Sequence, residues 1–274
     1  MSQISACIKD DSKEGFYSSL LPAIYDIYFL SKEFGEEHNS QGTGFCINKN
    51  GLVMTCAHLV DFQDMDNVHI MLRKKDTNGK ETTMQAKFVK LFRKFDVCIL
   101  QIIKSGRKAI SCDFVTFAEK TKKIRVGADV YYIGGPHGLA FTFACGRISY
   151  PCKYSLSWAF LPSARLSTIE RVLNDRVAVD LKTHYVVAKR EPPPIGMPPL
   201  DSPFRVGATM DPEFSYLHED APLIYADISS GGGASGGPLF NNRGEVIGML
   251  IGGSRFGSFI IHHNALQSFI DVED

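Results

Sequence analysis

The sequence has no excess of charge of either sign, because its 30 lysine and arginine residues equal its 30 aspartate and glutamate residues. Nothing in this balance favours a nucleic acid or an anionic membrane surface as a partner. The chain also lacks a hydrophobic run that could span a bilayer, since the apolar stretch 16–30 is broken by Pro22 and Asp26. We therefore expect no nucleic-acid partner and no membrane association.

Cysteine is present, but without the pairing of a disulfide framework or a zinc site. The seven cysteines are scattered, and no Cys-x-x-Cys occurs. The adjacent residues His262 and His263 should diverge on a strand, so we do not expect them to share a metal ion. An odd, unpaired set of cysteines favours a reducing compartment, and we expect neither a metal nor a cofactor. Four of them fall in apolar segments, where cysteine packs as a small hydrophobe: Cys46, Cys56, Cys98 and Cys145.

The start of the chain lacks the apolar stretch of a secretory signal. Residues 1–15 are polar and include Asp10, Asp11 and Glu14. Such acidic residues also disfavour a mitochondrial transit peptide. The expected location is the cytosol, with the nucleus or an organelle as alternatives, and secretion is not expected.

A serine inside a run of glycines is the most informative feature that is present. Residues 231–240 read Gly-Gly-Gly-Ala-Ser-Gly-Gly-Pro-Leu-Phe, with Ser235 as the serine. Glycine adopts backbone conformations that expose a hydroxyl and turn N–H groups toward one point. A nucleophile for acyl transfer needs that arrangement. The alternative is a glycine-rich surface loop in which the serine only solvates a turn.

Two other residues could activate this hydroxyl, which is a weak nucleophile without an oriented base. His58 comes just after a strand predicted at 52–56, and Asp96 begins an apolar strand predicted at 97–103. Taken singly, His58 could instead cap a short helix, and Asp96 could be a solvated turn residue. Together with Ser235 they occur in the order His, Asp, Ser, which is one of the known chain orders of the catalytic triad.

Four ordered segments resemble the HtrA/Deg (Do-like) serine proteases, which have the trypsin fold. They are the serine segment 227–241 with 244–248, the segments 42–45 and 55–58, and the glycine-proline loop in 130–139. The resemblance spans residues 22–150 and 223–270. It implies an all-β fold of two antiparallel β-barrels of the trypsin/chymotrypsin type, with short N- and C-terminal helices. His58 and Asp96 would then come from the first barrel, and Ser235 from the second.

The spacing of short strands and turns agrees with such an architecture. We expect an N-terminal segment 1–21, a first barrel over 22–125 and a second barrel over 126–274. Helices are predicted at 12–20, with Ser12 as the N-cap, and at 264–271. The predicted strands are 24–30, 42–47, 52–56, 67–73, 81–91, 97–103, 112–117, 128–134, 139–149, 222–228, 237–241, 245–252 and 257–262.

Residues 151–221 depart from the family pattern as a long insertion. Residues 165–176 could be helical, and 191–200 are rich in proline. The composition favours a mobile polyproline linker, and the alternative is a lid or partner-binding loop near the cleft. Many family members carry a peptide-binding PDZ module after the protease. Because this chain stops at Asp274, we do not assume the regulation that such modules provide.

The resemblance implies a serine endopeptidase that acts on polypeptides without a cofactor. Gly233 and Ser235 would supply the oxyanion-hole N–H groups, and family members often form trimers. The residues expected at the edge of the specificity pocket are Leu250, Ile251, Gly252 and Gly253. Ser229 stands where enzymes that cut after Lys or Arg place an acid, so we expect cleavage after small or aliphatic residues.

Two other functions stay open at this stage. The chain could be a catalytically latent pseudoprotease that binds partners, because some family members need a loop rearrangement to form the oxyanion hole. An esterase of the α/β-hydrolase type is disfavoured, because those enzymes have the chain order Ser, Asp, His.

Overall fold

The computed structural model describes residues 12–32, 37–61, 67–103, 111–151, 177–180, 185–188, 222–254 and 257–270. These residues form mostly antiparallel β-strands arranged as two closed barrels, with a few short helices. The predicted all-β fold with two trypsin-type barrels is confirmed.

The first barrel contains six strands in the order β1-β2-β3-β6-β5-β4, and it closes because β1 pairs with both β2 and β4. Alternating burial along β4 shows which face points inward: Val68, Ile70 and Leu72 are buried, whereas His69 and Met71 are partly exposed. This alternation is what a half-buried strand requires. The strands are β1 (Ile24–Ser31), β2 (Glu37–Cys46), β3 (Leu52–Thr55), β4 (Val68–Lys75), β5 (Glu81–Phe92) and β6 (Val97–Ile102).

The second barrel also closes with six strands, in the order β13-β8-β9-β12-β15-β14, because β13 pairs with β14. A short seventh strand, β7, adds in parallel to β14 at its outer edge. The strands are β7 (Thr116–Phe117), β8 (Asp129–Gly134), β9 (Thr142–Pro151), β12 (Leu223–Ala226), β13 (Pro238–Phe240), β14 (Glu245–Ser254) and β15 (Gly257–His262). A separate two-stranded sheet pairs β10 (Val177–Asp180) with β11 (Tyr185–Ala188).

Three short α-helices accompany the barrels: α1 (Lys13–Leu20), α2 (His58–Asp61) and α3 (His263–Ser268). Ser12 caps α1 as predicted, since its hydroxyl accepts a hydrogen bond from Gly15 N–H at 3.0 Å. The buried face of α1 carries Phe16, whose ring packs 4.6 Å from that of Tyr131 on β8. The N-terminal helix thus rests on the second barrel although it precedes the first.

One continuous apolar core extends from the first barrel into the second. It includes Phe29 and Phe45 of the first barrel together with Phe240 and Met249 of the second. The connecting segment joins in, because Val115 N–H donates to the carbonyl of Cys46 at 2.9 Å. The two barrels therefore share packed side chains and do not form separate cores.

Most predicted elements occupy their expected places, and the differences lie at ends and connections. The strand predicted at 112–117 is reduced to Thr116–Phe117, because Val115 N–H bonds to Cys46 O at the end of β2 and Cys112 N–H bonds to Lys49 O in the turn that follows. The strand predicted at 139–149 begins only at Thr142, after a tight turn at Pro136–Gly138. Residues 165–176 and 191–200 lie outside the described residues, and the domain boundaries stay a prediction.

The expectation that the His262 and His263 side chains diverge was wrong. Strand β15 ends at His262 and α3 begins at His263, so the two residues do not alternate along one strand. Their rings stack with centroids 4.4 Å apart. Among the helices of the described segments, none is long and apolar enough to cross a membrane.

Candidate active site

His58 and Asp96 form a close pair at the edge of the first barrel. His58 is the first residue of α2, which follows β3, and Asp96 comes just before β6, the strand that pairs with β3. His58 Nδ1 lies 2.8 Å from Asp96 Oδ2, and the His58 main-chain N–H donates to Asp96 Oδ1 at 2.9 Å. Since a carboxylate only accepts hydrogen bonds, the pair places the ring proton on Nδ1 and leaves Nε2 as the basic atom.

The backbone around Asp96 is shaped to make this contact. Asp96 adopts a left-handed conformation with φ 52° after the turn Arg93–Phe95, and its side chain is fully buried. Its carbonyl accepts a third hydrogen bond from Ala57 N–H at 3.1 Å. Asp96 therefore binds the chain before His58 as well as the ring, which fixes where the imidazole points.

Ser235 lies in a tight turn whose glycines take conformations that other residues avoid. Gly233 and Gly236, on either side of it, have φ values of 92° and 85°. Thr43 of β2 holds this turn from the first barrel: its N–H donates to Ser235 O at 2.8 Å, and its hydroxyl donates to Gly233 O at 2.8 Å. The turn that carries the serine is thus attached to the barrel that carries the histidine.

The serine turn contacts the strand that leads to His58. A Cβ placed on Gly236 would collide with Thr43 O and Thr55 Oγ1 and would come within 3.1 Å of Cys56 N. Cys56 precedes His58 by only two residues. Of the three predicted residues, His58 and Asp96 form the close pair, at 2.8 Å between Nδ1 and Oδ2.

The two N–H groups expected to form an oxyanion hole differ from their neighbours in their hydrogen bonding. The N–H groups of Ala234, Gly236 and Gly237 donate to carbonyls of Gly231, Leu250 and Ala234 respectively. No such acceptor occurs for Gly233 N–H or Ser235 N–H within the described chain. These two N–H groups are therefore candidates to bind an oxyanion, and the oxyanion hole stays a prediction.

Sequence reasoning missed two residues that support the serine turn from the second barrel. The buried Tyr132 of β8 donates from its hydroxyl to Ala234 O at 3.0 Å, and burial raises the pKa of this phenol. His137 donates its N–H to Gly232 O at 2.6 Å, and its ring covers Gly231. The glycine-proline loop was recognised by resemblance, but only the fold shows that it contacts the serine segment.

The predicted specificity residues all lie on β14, beside the serine turn. Leu250 and Ile251 are almost fully buried, whereas Gly252 and Gly253 are partly exposed. Leu250 N–H donates to Gly237 O at 2.8 Å, which aligns β14 with the turn.

Two small hydroxyl residues, which the sequence did not indicate, lie next to this part of β14. A Cβ on Gly253 would collide with the Ser230 hydroxyl. The buried Ser258 donates to Ile228 O at 2.6 Å and lies 2.8 Å from Ser230 Oγ. The part of β14 predicted to edge the specificity pocket thus packs against small side chains.

Cys56 completes a cluster of three potential metal ligands with His58 and Asp96. Their ligand atoms lie within 4.8 Å of one another, and no other such cluster occurs among the described residues. Burial, and then the neighbouring Asp96 charge, raises the pKa of the Cys56 thiol well above its usual value. The thiol donates to Leu250 O at 3.3 Å, and a protonated thiol is a poor ligand.

Comparison with known proteins agrees with this geometry. The family model described as "Trypsin-like peptidase domain" matches residues 42–249, which is more than half of the chain. The chain belongs to this family. The resemblance to the HtrA/Deg trypsin-fold proteases is confirmed as well.

Curated relatives and a solved structure refine this placement. A "Probable periplasmic serine endoprotease DegP-like" of Halomonas elongata is 26% identical over 242 residues, covering 84% of this chain and 35% of the relative. A protein of the same name from Hahella chejuensis is 24% identical over 249 residues, covering 88% of this chain and 37% of the relative. The chain therefore spans about a third of the length of these relatives. The crystal structure of Deg5 superposes with a TM-score of 0.57 at 18% identity, covering 92% of this chain and 89% of Deg5.

The expected cytosolic, non-secreted location is contradicted, because these relatives are named periplasmic. The expectation rested on an odd, scattered set of cysteines and on the polar residues 1–15, which do not resemble a secretory signal. Cys46, Cys56 and Cys98 are buried, where a thiol packs as a small hydrophobe in any compartment. Cys145, predicted to be part of an apolar strand, is exposed on β9. The cysteine pattern thus reports packing and not the redox state of a compartment.

Proposed function

We propose that this chain is a serine endopeptidase that hydrolyses peptide bonds through His58, Asp96 and Ser235. The buried His58–Asp96 pair carries the proposal, because its Nδ1–Oδ2 contact of 2.8 Å and its N–H–Oδ1 bond of 2.9 Å orient one imidazole. Asp96 is fully buried and makes both contacts, whereas a turn aspartate that is exposed to solvent would make neither. The serine turn attached through Thr43 supplies the matching nucleophile.

In the proposed reaction, His58 Nε2 takes the proton of the Ser235 hydroxyl as its oxygen attacks the peptide carbonyl. Asp96 keeps the ring in the required tautomer and stabilises its charged form. Gly233 N–H and Ser235 N–H bind the negative oxygen of the tetrahedral intermediate, and each such donor contributes about 3 kcal/mol in comparable enzymes. His58 then gives the proton to the leaving amine, and water hydrolyses the acyl-enzyme by the reverse steps.

A fluorophosphonate probe together with digestion of an unfolded protein tests this proposal. The wild-type chain should be labelled once and should cleave casein, and Ser235→Ala should lose both properties. Ser229→Ala is a matched control, because it removes an exposed hydroxyl in the same segment and should keep both. Labelling that persists in Ser235→Ala would disprove the assigned nucleophile.

We further propose that cleavage follows small or aliphatic residues. Gly252 and Gly253 add no side-chain bulk to β14, and Ser229 stands where enzymes that cut after Lys or Arg place an acid. Digestion of a peptide library should therefore favour Ala, Val or Ile before the cut. A product set dominated by cuts after Lys or Arg would contradict this.

The latent state is the second candidate, because the resemblance includes family members whose oxyanion hole forms only after a loop rearrangement. In that state the chain would bind polypeptides without cutting them until the turn shifts. Folded protein that binds casein but gives no probe labelling would support latency. The trimer expected by resemblance is also a prediction, which sedimentation can test.

A further inference from the structure

Two cysteines from different segments meet beside the first barrel. Cys46 is the last residue of β2, and Cys112 lies in the segment that connects the two barrels. The main chains run together there, because Val115 N–H donates to Cys46 O at 2.9 Å and Cys112 N–H donates to Lys49 O at 3.1 Å. The two free thiols also form a hydrogen bond with each other. The fold thus brings into contact two thiols that are far apart in the sequence.

The two thiols differ in their access to solvent. Cys46 is completely buried, and its sulfur lies 3.1 Å from Asn48 O in the turn after β2. Cys112 is only half-buried. Of the two, Cys112 is therefore the thiol that a dissolved reagent meets first.

A buried hydroxyl faces the Cys112 sulfur. Tyr25 of β1 is completely buried, and its hydroxyl has no nitrogen or oxygen partner among the described residues. The Cys112 sulfur lies within reach of this hydroxyl. A buried donor without a partner is costly, and a thiolate accepts hydrogen bonds strongly because it is charged. Tyr25 is thus placed to stabilise a negative charge on Cys112.

These contacts make Cys112 the acidic member of the pair. Hydrogen bonding to the Cys46 thiol lowers the pKa of Cys112 to about 6. The Tyr25 hydroxyl and the Lys74 charge lower this pKa as well, whereas burial and the Asp113 charge raise it. Near pH 7 Cys112 is therefore mostly a thiolate, which is the form that attacks a disulfide.

Cys46 is held in its protonated form until Cys112 reacts. The hydrogen bond to Cys112, then burial, then the Cys112 charge raise the pKa of Cys46. Once the Cys112 sulfur is bonded to another sulfur it carries no charge, so the effects that depend on its thiolate disappear. Cys46 can then lose its proton and act as a second nucleophile.

We propose that Cys46 and Cys112 form a reversible disulfide by exchange with a small-molecule disulfide such as glutathione disulfide. The Cys112 thiolate attacks one glutathione sulfur, which forms a mixed disulfide and releases one glutathione thiolate. Cys46 then attacks the Cys112 sulfur, which forms the internal disulfide and releases the second glutathione thiolate. The Cys46 proton passes through water to a released thiolate. The two cysteines lose two electrons, and the glutathione disulfide gains them as its S–S bond breaks.

The internal disulfide would fasten the segment between the barrels to the end of β2. The exchange does not involve Ser235, so it can be measured whether or not the chain cleaves peptides. Failure of the proposed peptidase activity and failure of the exchange are therefore separate results.

Peptide mapping of the full chain after exposure to glutathione disulfide tests the proposal. The folded protein is incubated with the reagent, quenched with acid, alkylated with N-ethylmaleimide and digested without reduction. Mass spectrometry should find the Cys46 and Cys112 peptides joined, and a dithiol reductant should restore both thiols. No joined peptide, or a main product that links Cys112 to a different cysteine, would overturn the proposal.

Single variants separate the two steps of the exchange. Cys46→Ser should stop at the mixed disulfide, with one glutathione on Cys112, whereas Cys112→Ser should leave Cys46 unmodified. Cys145→Ser is the control, because it removes the exposed cysteine of β9 and should still form the joined peptide. Glutathione on Cys46 in folded Cys112→Ser would overturn the proposed order. If buried Cys46→Ser fails to fold, the wild-type map decides alone.

Tyr25→Phe removes only the hydroxyl that faces Cys112. The rate of Cys112 alkylation by iodoacetamide, followed against pH, should have its midpoint at about 6 in the wild type and at a higher pH in Tyr25→Phe. An unshifted midpoint in the variant would overturn the role of Tyr25. A wild-type midpoint at about 8.5, the ordinary pKa of a cysteine, would overturn the thiolate assigned to Cys112.

Discussion

Asp96 contributes more than a charge, because its two carboxylate oxygens and its carbonyl bind three separate groups of the segment Ala57–His58. Its left-handed backbone aims all three at once. Such a conformation is tolerated by Asp better than by most residues. Position 96 therefore requires a carboxylate on a short side chain.

Replacing this carboxylate by an amide tests its role. We expect Asp96→Asn to fold and to lower kcat about 10⁴-fold, because an amide that donates to Nδ1 imposes the wrong tautomer on His58. Peptide hydrolysis measured at saturating substrate checks this. Asp227→Asn is the control: Asp227 is a second carboxylate of the serine segment, but it accepts from the Arg147 N–H on β9, and its loss should leave kcat within threefold.

Thr43 is a second residue whose side chain makes hydrogen bonds that a substitution can test. It donates to Gly233 O at 2.8 Å and accepts from Gly135 N–H at 3.0 Å. Thr43→Val leaves both main-chain groups unpaired, and we expect a loss of about 2 kcal/mol in the free energy of unfolding. Urea unfolding measures this, and kcat should fall as the Gly233 peptide loosens. Thr43→Ser keeps the hydroxyl and should retain most of both; equal behaviour of the two variants would refute the assignment.

At the scale of elements, the serine turn depends on a close approach between the two barrels. Gly236 contacts Thr43 O and Thr55 Oγ1 with no space for a Cβ, and its φ of 85° is costly for other residues. Gly232, in the same run, has no atom within 4 Å of an added Cβ. The glycines of the run thus differ in how closely they are packed, which the sequence alone does not show.

A pair of alanine variants measures this difference. Gly236→Ala should lower the free energy of unfolding by about 3 kcal/mol, through the strained φ and the collision with β2 and β3, and it should abolish activity. Gly232→Ala should change neither by much. Thermal unfolding and probe labelling of both proteins provide the measurement. A stable, active Gly236→Ala would contradict the close approach.

At the scale of the whole molecule, buried histidines make stability depend on pH. Burial lowers the pKa of His262 and of His263 to about 4, against an ordinary value of 6.5. Between these values the unfolded chain binds protons that the folded chain rejects, so stability is full above about pH 6.5 and falls as the pH drops toward 4.

We expect a loss of about 2 kcal/mol for the two rings together between pH 7 and pH 5, because solvent screening reduces the full effect. Denaturant unfolding at a series of pH values gives the slope of the free energy of unfolding against pH. Replacing His262 by Gln should make that slope shallower. His137→Asn, which changes an exposed histidine at a positive φ that Asn tolerates, should leave it unchanged. A flat profile in the wild type would contradict the assignment.

Features set by residues that are close in the sequence can be predicted, whereas contacts between residues far apart in the sequence cannot. The serine run, His58 and Asp96 stand at strand ends within local patterns, and the barrel strands follow from alternation and turn residues, so they can be predicted. Thr43 and Gly233 are 190 positions apart, and no local pattern indicates that they meet. The stacking of His262 on His263 was mispredicted because β15 ends at His262 and α3 begins at His263, whereas the prediction placed both on one strand.

Ser235 joins the first barrel through its carbonyl oxygen, which accepts a hydrogen bond from Thr43 N–H, and its side chain makes no such bond to the barrel residues that the structure describes. Removing the hydroxyl therefore leaves the attachment of the turn unchanged. A Ser235→Ala chain should keep its shape and its groove while being unable to form an acyl-enzyme. Such a chain can serve as a trap that retains uncut polypeptides long enough for them to be isolated and sequenced.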